Sequence, residues 1–257
     1  MKAQISLHSG IRPVDLSRPI RISVPLSRQG NNPHAYFLPP ALIVPISADG
    51  FIGDVREGGS CNCEQLTIAP HGNGTHTECV GHISAERVFI KDSLTSFLYH
   101  ARVDSCTPEH DDRSGDRIIS VNAIREVLEG FTGDALVVRT LPNDPDKGQR
   151  RWSGTNPPYF EPGVGTILVE HGIRHLLCDL PSVDRESDGG LMSVHHEFWQ
   201  YPGRPRTDAT ITEMIFVPES VADGEYLVQI SVPPIESDAA PSDINLYVFL
   251  DSPQLMP

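Results

Sequence analysis

Pro70-His71-Gly72-Asn73-Gly74-Thr75-His76-Thr77-Glu78-Cys79-Val80-Gly81-His82 puts three histidines and a carboxylate into one short stretch of a chain with 11 histidines in all. Imidazole nitrogens and carboxylate oxygens are the usual ligands of zinc, manganese and iron, and glycines let the backbone gather them onto one centre. Gly72, Gly74, Gly81 and the β-branched Thr75, Thr77 and Val80 disfavour a helix here. Read as extended from Thr75 to His82, the segment alternates faces and places His76, Glu78 and His82 on the same one. His71 has the opposite parity, which a bulge or turn at Gly72-Asn73-Gly74 can reset. A surface loop whose polar side chains satisfy its own backbone is the plain alternative. The crowding predicts a metal or catalytic site.

Around this stretch the sequence reads as β structure followed by strand and helix units. Ile20 to Leu26 alternates apolar and polar residues up to Pro25, which predicts a half-exposed edge strand. Ala41 to Ile46 is uniformly apolar and predicts a central strand. Ser120 can cap a helix in which Ile124, Val127, Leu128 and Phe131 recur at helical spacing. Ala135 to Thr140 then reads as a buried strand, Gly163 to His171 as a short helix, and His175 to Asp179 as the next strand. Strand, helix, strand predicts a parallel crossover, whose ligands gather beyond the carboxyl ends of the strands, near Arg139, Thr140, Asp179 and Pro181 to Asp184. Asp184 reads first as a turn or capping carboxylate. The long Pro- and Gly-rich connection from Leu141 to Gly163 offers Trp152, Tyr159 and Phe160 either to a ligand or to the core.

One segment supplies too few ligands, so the remaining acids and histidines matter. Ser193 to Trp199 sets His195 and His196 beside bulky apolar residues, with Ser193 a candidate helix cap. Thr210 to Val217 reads as a strand with apolar residues on both faces, which makes Glu213 a carboxylate in the core. Burying it costs several kcal/mol unless a cation, a metal or strong donors compensate.

The opening stretch resembles the signature of the cyclase family, which includes bacterial kynurenine formamidases and reads His-x-Gly-Thr-His-x-Asp-x-Pro-x-His. Gly74, Thr75, His76 and His82 match it, Glu78 stands at the Asp position, and Val80 stands at the Pro position. The first family histidine falls on Gly72, with His71 one place earlier. Asp179 to Asp184 resembles the family's Asp-x-Pro-Ser-x-Asp. His195, followed by Phe198 and Trp199, matches a later family His, and Glu213 matches a downstream Glu, both associated with the metal centre. The likeness spans roughly residues 15 to 232. It implies an α/β fold, a single domain over residues 1–257 with a mixed β-sheet core and flanking helices of the swivelling β/β/α kind. It also implies an amide or cyclic amide hydrolase, often a homodimer.

On that resemblance His76, Glu78, His195 and Glu213, with His71 as a further candidate, would hold one or two divalent ions, zinc or manganese. Such an ion lowers the pKa of a bound water and polarises a substrate carbonyl. His82 is left as the general acid/base. Two other classes stay open: a binding protein that keeps the scaffold without turnover, and a hydrolase using Cys79 as nucleophile. The second lacks a Gly-x-Ser-x-Gly elbow and leaves too many histidines unexplained.

Composition sets the surroundings. The formal charge of −14 comes from 20 Lys and Arg against 34 Asp and Glu, with no basic run to track a phosphate backbone. Nucleic acid and anionic membranes are therefore not expected as partners, and the resemblance implies a small-molecule amide as substrate. No apolar run spans a bilayer, and the first eight residues carry no continuous apolar region, which predicts a cytoplasmic protein. Five cysteines make no complete disulfide framework. Cys61-x-Cys63 lacks a second pair at zinc-ribbon spacing and reads as buried thiols.

Overall fold

The structure, a computed structural model, describes residues 1–252. The chain opens with a hairpin of β1 (Lys2–Leu7) and β2 (Gly10–Asp15), then β3 (Ile20–Arg21). An arm follows, built from β4 (Leu42–Pro45), β5 (Ser47–Ala48), β6 (Phe51–Ile52) and β7 (Glu64–Thr67). After it come β8 (His76–Cys79), α1 (Ile90–Ser93), β9 (Leu98–Cys106), β10 (Glu109–Asp111) and β11 (Asp116–Ile119). Next are α2 (Val121–Leu128), β12 (Ala135–Thr140), β13 (Tyr159–Phe160), α3 (Val164–Glu170) and β14 (His175–Cys178). The chain continues through α4 (Ser193–Trp199), β15 (Thr210–Glu213), β16 (Gly224–Ser231), β17 (Ala239–Pro241) and β18 (Asp243–Val248).

Nine of these strands form one mixed sheet in the order β17-β8-β15-β14-β12-β9-β16-β18-β3. Its centre, β15-β14-β12-β9, is parallel, and every strand outside that centre pairs antiparallel. The expected crossover is present, with α3 between the parallel neighbours β12 and β14. Period-two alternation splits each central strand between two cores. Leu136, Val138, Leu176 and Cys178 pack with α2, α3 and α4 on one face, while Ala135, Val137 and Leu177 pack with Tyr99, Tyr226 and Val228 on the other. Burial on both faces explains why β12 and β14 read as continuous apolar runs.

The side chain of Ser120 caps α2 as expected, accepting from the Ala123 N–H. Ile20–Arg21 lies at the sheet edge as expected, although the strand is shorter than the alternating run.

Two expectations are overturned. Ala41 to Ile46 is not central: β4 pairs with β7 alone, in a two-stranded ribbon that leaves Leu42 51%, Val44 46% and Leu66 59% exposed. An apolar run marks burial only when another layer covers it, and within the described residues none does here. Cys61 is exposed and Cys63 half-buried, because the turn carrying them belongs to the same arm rather than to the core.

A candidate metal centre

The site assembles where β8 meets β15. All four residues of β8 are buried, and its register sets His76 opposite Glu213 and Glu78 opposite Ile211. His76 and Glu78, two apart on one strand, share a face as expected. His82 arrives differently. The extended run stops at Cys79, and a 3-10 turn, Val80–His82, folds the last histidine back so that Nε2 lies 3.9 Å from Glu78 Oε2. Gly81 makes this turn possible, since a Cβ there would sit 2.0 Å from the Val88 carbonyl oxygen.

His71 joins through the reset anticipated at Gly72-Asn73-Gly74. Pro70–Gly72 forms a 3-10 turn, and Gly74 takes a φ of +90°. The His71 Nδ1 then lies 3.0 Å from Glu78 Oε2, and its Nε2 lies 2.7 Å from Asp238 Oδ2. Gly72, where the family signature places its first histidine, faces away. A Cβ at that position would meet Leu38 Cδ1 at 2.8 Å and the Ala35 oxygen at 2.9 Å.

The distant half of the cluster comes from α4 and β15. His195, on α4, puts Nε2 3.0 Å from Glu78 Oε1 and Nδ1 2.6 Å from Asp184 Oδ2. His196 turns the other way and bonds the Tyr201 carbonyl. Ser193 is not the cap of α4, because Met192 occupies the cap position without a side-chain bond. Asp184 does that work from a distance, accepting from the Val194 and His195 N–H groups at 2.9 and 3.2 Å. It is therefore a capping carboxylate, as its first reading had it, and the partner of His195 as well. Glu213 ends β15, where Met214 turns the chain with a φ of +53°. Its Oε1 accepts the Val183 N–H at 3.0 Å, and its Oε2 lies 3.4 Å from His76 Nε2, so no arginine is needed to hold it.

This donor set fits a divalent cation. His76 Nδ1 donates to the Gly74 carbonyl at 3.0 Å, which turns the buried Nε2 into the cluster, where it has no hydrogen bond among the described residues. A buried nitrogen without a partner is costly in an apolar interior and suits a metal ligand oriented by a bond to its other nitrogen. Ligand atoms of His71, His76 and Glu78 all lie within 4.8 Å of one another, as do those of Glu78, His82 and His195.

Charge is balanced inside the cluster. Burial alone would raise the Glu78 carboxyl, but the field of His82 and hydrogen bonds from His195 and His71 hold it well below its usual value. Burial opposes the positive charge on His195 and on His71 too. Bonds to Asp184 and Glu78 in the first case, and to Asp238 and Glu78 in the second, push each up to about 10. Both rings are therefore protonated at neutral pH in the metal-free protein, and a metal must displace those protons to bind. Apparent affinity is expected to rise with pH up to about 10, with up to two protons released per site. Calorimetric titration in buffers of different ionisation enthalpy measures that release, and a pH-independent affinity would contradict it.

A cavity of about 610 Å³ opens onto the cluster, walled by Tyr36, Leu38, Arg185 and Met192 together with His71, Glu78, His82, His195 and Glu213. That volume suits a small molecule. Trp152 and Phe160 are buried and pack in the core, while the Tyr159 hydroxyl donates to Asp116, so none of the three reaches the cavity. Arg139, Thr140 and Asp179 also lie outside it. Arg139 is tied to Asp223 and Ser105, and Asp179 accepts from Thr140 and from Lys147 Nζ at 2.7 Å, which closes that end of β12. Of the expected strand-end group, Ser182 and Asp184 line the cavity. Asp238 and Tyr36 went unnoticed in the sequence. A single acid before Ala239-Ala240 and a tyrosine in a Pro-rich stretch carry no periodic signal.

A family model described as "Putative cyclase" matches residues 14–185, more than half of the chain. The chain belongs to this cyclase family. Among curated cyclase-like relatives, the kynurenine formamidase of Geobacillus thermodenitrificans is 27% identical over 188 residues, covering 72% of this chain and 79% of that protein. The kynurenine formamidase of Bacillus anthracis is 27% identical over 197 residues, covering 75% and 82%. Isatin hydrolase A from Labrenzia aggregata, solved with benzyl benzoate, superposes with a TM-score of 0.63 at 15% identity, covering 90% of this chain and 94% of its own. A predicted metal-dependent hydrolase from Bacillus stearothermophilus gives 0.62 at 15% identity, covering 90% and 98%. At such identities these superpositions establish the cyclase fold.

Proposed function

We propose that this chain is a metal-dependent hydrolase of linear or cyclic amides, acting on C–N bonds other than peptide bonds. The reading rests on the buried, unbonded Nε2 of His76 facing Glu213 across a strand pair, beside a cavity of small-molecule size. The names of the relatives, kynurenine formamidase and isatin hydrolase, support the same bond type. His71, His76, Glu78, His195 and Glu213 are the proposed ligands of one or two divalent ions, zinc or manganese. Bound there, such an ion would supply Lewis acidity for activating water and polarising a substrate carbonyl.

The protein's own groups do the rest. Gly74 and Asp184 fix the rings of His76 and His195 through their Nδ1 atoms. Val183 N–H holds Glu213 in place. His82, partly exposed on the cavity wall, takes a proton from the nucleophile and returns it to the leaving nitrogen. The same proposal treats residues 1–257 as one domain working as a cytoplasmic homodimer. Five free cysteines and the exposed apolar arm agree with that setting and assembly. Among the described residues no helix is long and apolar enough to cross a membrane.

His82→Ala is expected to lower turnover of a panel of formamides, lactams and imides by about 10²- to 10⁴-fold with metal content unchanged. Loss of metal together with activity would make His82 a ligand instead. A metal-loaded wild type that turns over none of the panel would favour a binding protein on the same scaffold.

A further inference from the structure

The carboxylate of Asp238 touches two histidines of the site at once. It lies before β17, beyond the 14–185 span of the family model, on backbone that is itself pinned. The Asp238 carbonyl accepts the Cys79 N–H at 3.0 Å, and the Ser237 carbonyl accepts the Ile90 N–H at 2.8 Å. Those two bonds deliver the side chain beside the turn that carries His82. Asp238 Oδ2 then lies 2.7 Å from His71 Nε2 and 3.4 Å from His82 Nδ1, and the two rings stack at 4.1 Å with 29° between their planes.

Each ring therefore turns one nitrogen outward to Asp238 and the other inward to Glu78 Oε2, His71 Nδ1 at 3.0 Å and His82 Nε2 at 3.9 Å. A carboxylate on the outer nitrogen of a histidine sets which nitrogen keeps its proton and which is free to bind or to transfer one. His71 needs such an anchor. Position 72 is closed to any side chain by Leu38 and Ala35, so the imidazole has to come from a turn one residue earlier and be drawn inward.

We propose that Asp238 is a positioning residue shared by His71 and His82, holding the first with Nδ1 presented to the metal and the second with Nε2 presented to substrate. The role of His82 toward substrate rests on the hydrolase reading, whereas the ring orientations do not. The test uses Asp238→Asn in the full chain with zinc as the probe. Histidine ring nitrogens are read by long-range ¹⁵N–¹H correlation in the zinc-loaded protein, zinc affinity by chelator competition, and kcat and KM at saturating zinc.

The expected result is a changed protonation pattern on both rings and zinc affinity lower by about 10- to 100-fold. With it, kcat should fall by about 10²-fold or more while KM stays within about threefold. Asp238→Glu, which keeps the charge, should restore the ring pattern. Wild-type ring pattern and zinc affinity in Asp238→Asn would overturn the proposal. Should that variant not fold, Asp238→Ala is read by the same criteria. If the wild type shows no turnover at all, the hydrolase reading fails by itself, and the ring pattern and zinc affinity still decide the role of Asp238.

Discussion

His76→Ala is expected to emerge from purification without the divalent ion proposed for the wild-type protein. The side chain is fully buried, its Nδ1 is committed to the Gly74 carbonyl, and its Nε2 has no hydrogen-bond partner among the described residues. The donor is delivered from a strand paired on both sides, and its flanking residues Thr75 and Thr77 are already bonded to Met214 and Thr212. Loss of an outer hydrogen-bond partner of a ligand costs about 10- to 100-fold in affinity, and loss of the ligand itself exceeds that. Metal content by plasma mass spectrometry checks the expectation, with circular dichroism to confirm the fold. Full occupancy in the variant would remove His76 from the centre.

Asp184→Ala should produce the largest loss of stability among the substitutions considered. Its carboxylate accepts the Val194 and His195 N–H groups and the His195 Nδ1–H, all buried. Removing it uncaps α4 and strands buried donors, at a cost of about 3 kcal/mol. His195 also loses the partner that aims its Nε2 at Glu78, so metal affinity should drop by about 10- to 100-fold. Urea unfolding and chelator competition measure the two effects separately. Asp184→Asn should recover part of the stability, because its amide oxygen still accepts a helix N–H, and less of the metal affinity. A variant as stable as the wild type with unchanged affinity would show that α4 holds its place without this carboxylate.

Local pattern carried far in this chain. The apolar run of β12, the Ser120 cap and the strand, helix, strand order around α3 are each set by residues close in sequence, and the structure bears them out. The placement of His76, Glu78, His195 and Glu213 in one cluster was legible because a resemblance linked segments that no periodicity connects. Where a residue's surroundings come from far away, the reading failed. Leu42 to Pro45 is as apolar as a central strand, yet burial depends on whether a second layer covers it. Arg139 and Asp179 stand at strand ends where ligands gather, but Asp223 and Lys147 had already claimed them. Asp238 reaches His71 across 167 residues of chain, a distance over which one carboxylate leaves no local trace.

The register of β8 against β15 has a consequence for how the protein is made. His76 faces Glu213 because two strands separated by 130 residues settle opposite each other, and a one-residue slip would present Thr212 or Met214 instead. Such long-range pairing must offset the entropy of closing the chain between the two strands. During synthesis the nascent chain already carries His71, His76, Glu78 and His82 when most of the sheet has yet to be translated. It gains the full donor set once β15 has docked. Metal capture would thus report the docking of β15, and a ribosome-bound chain stalled before residue 210 should bind a divalent ion far more weakly than the finished protein.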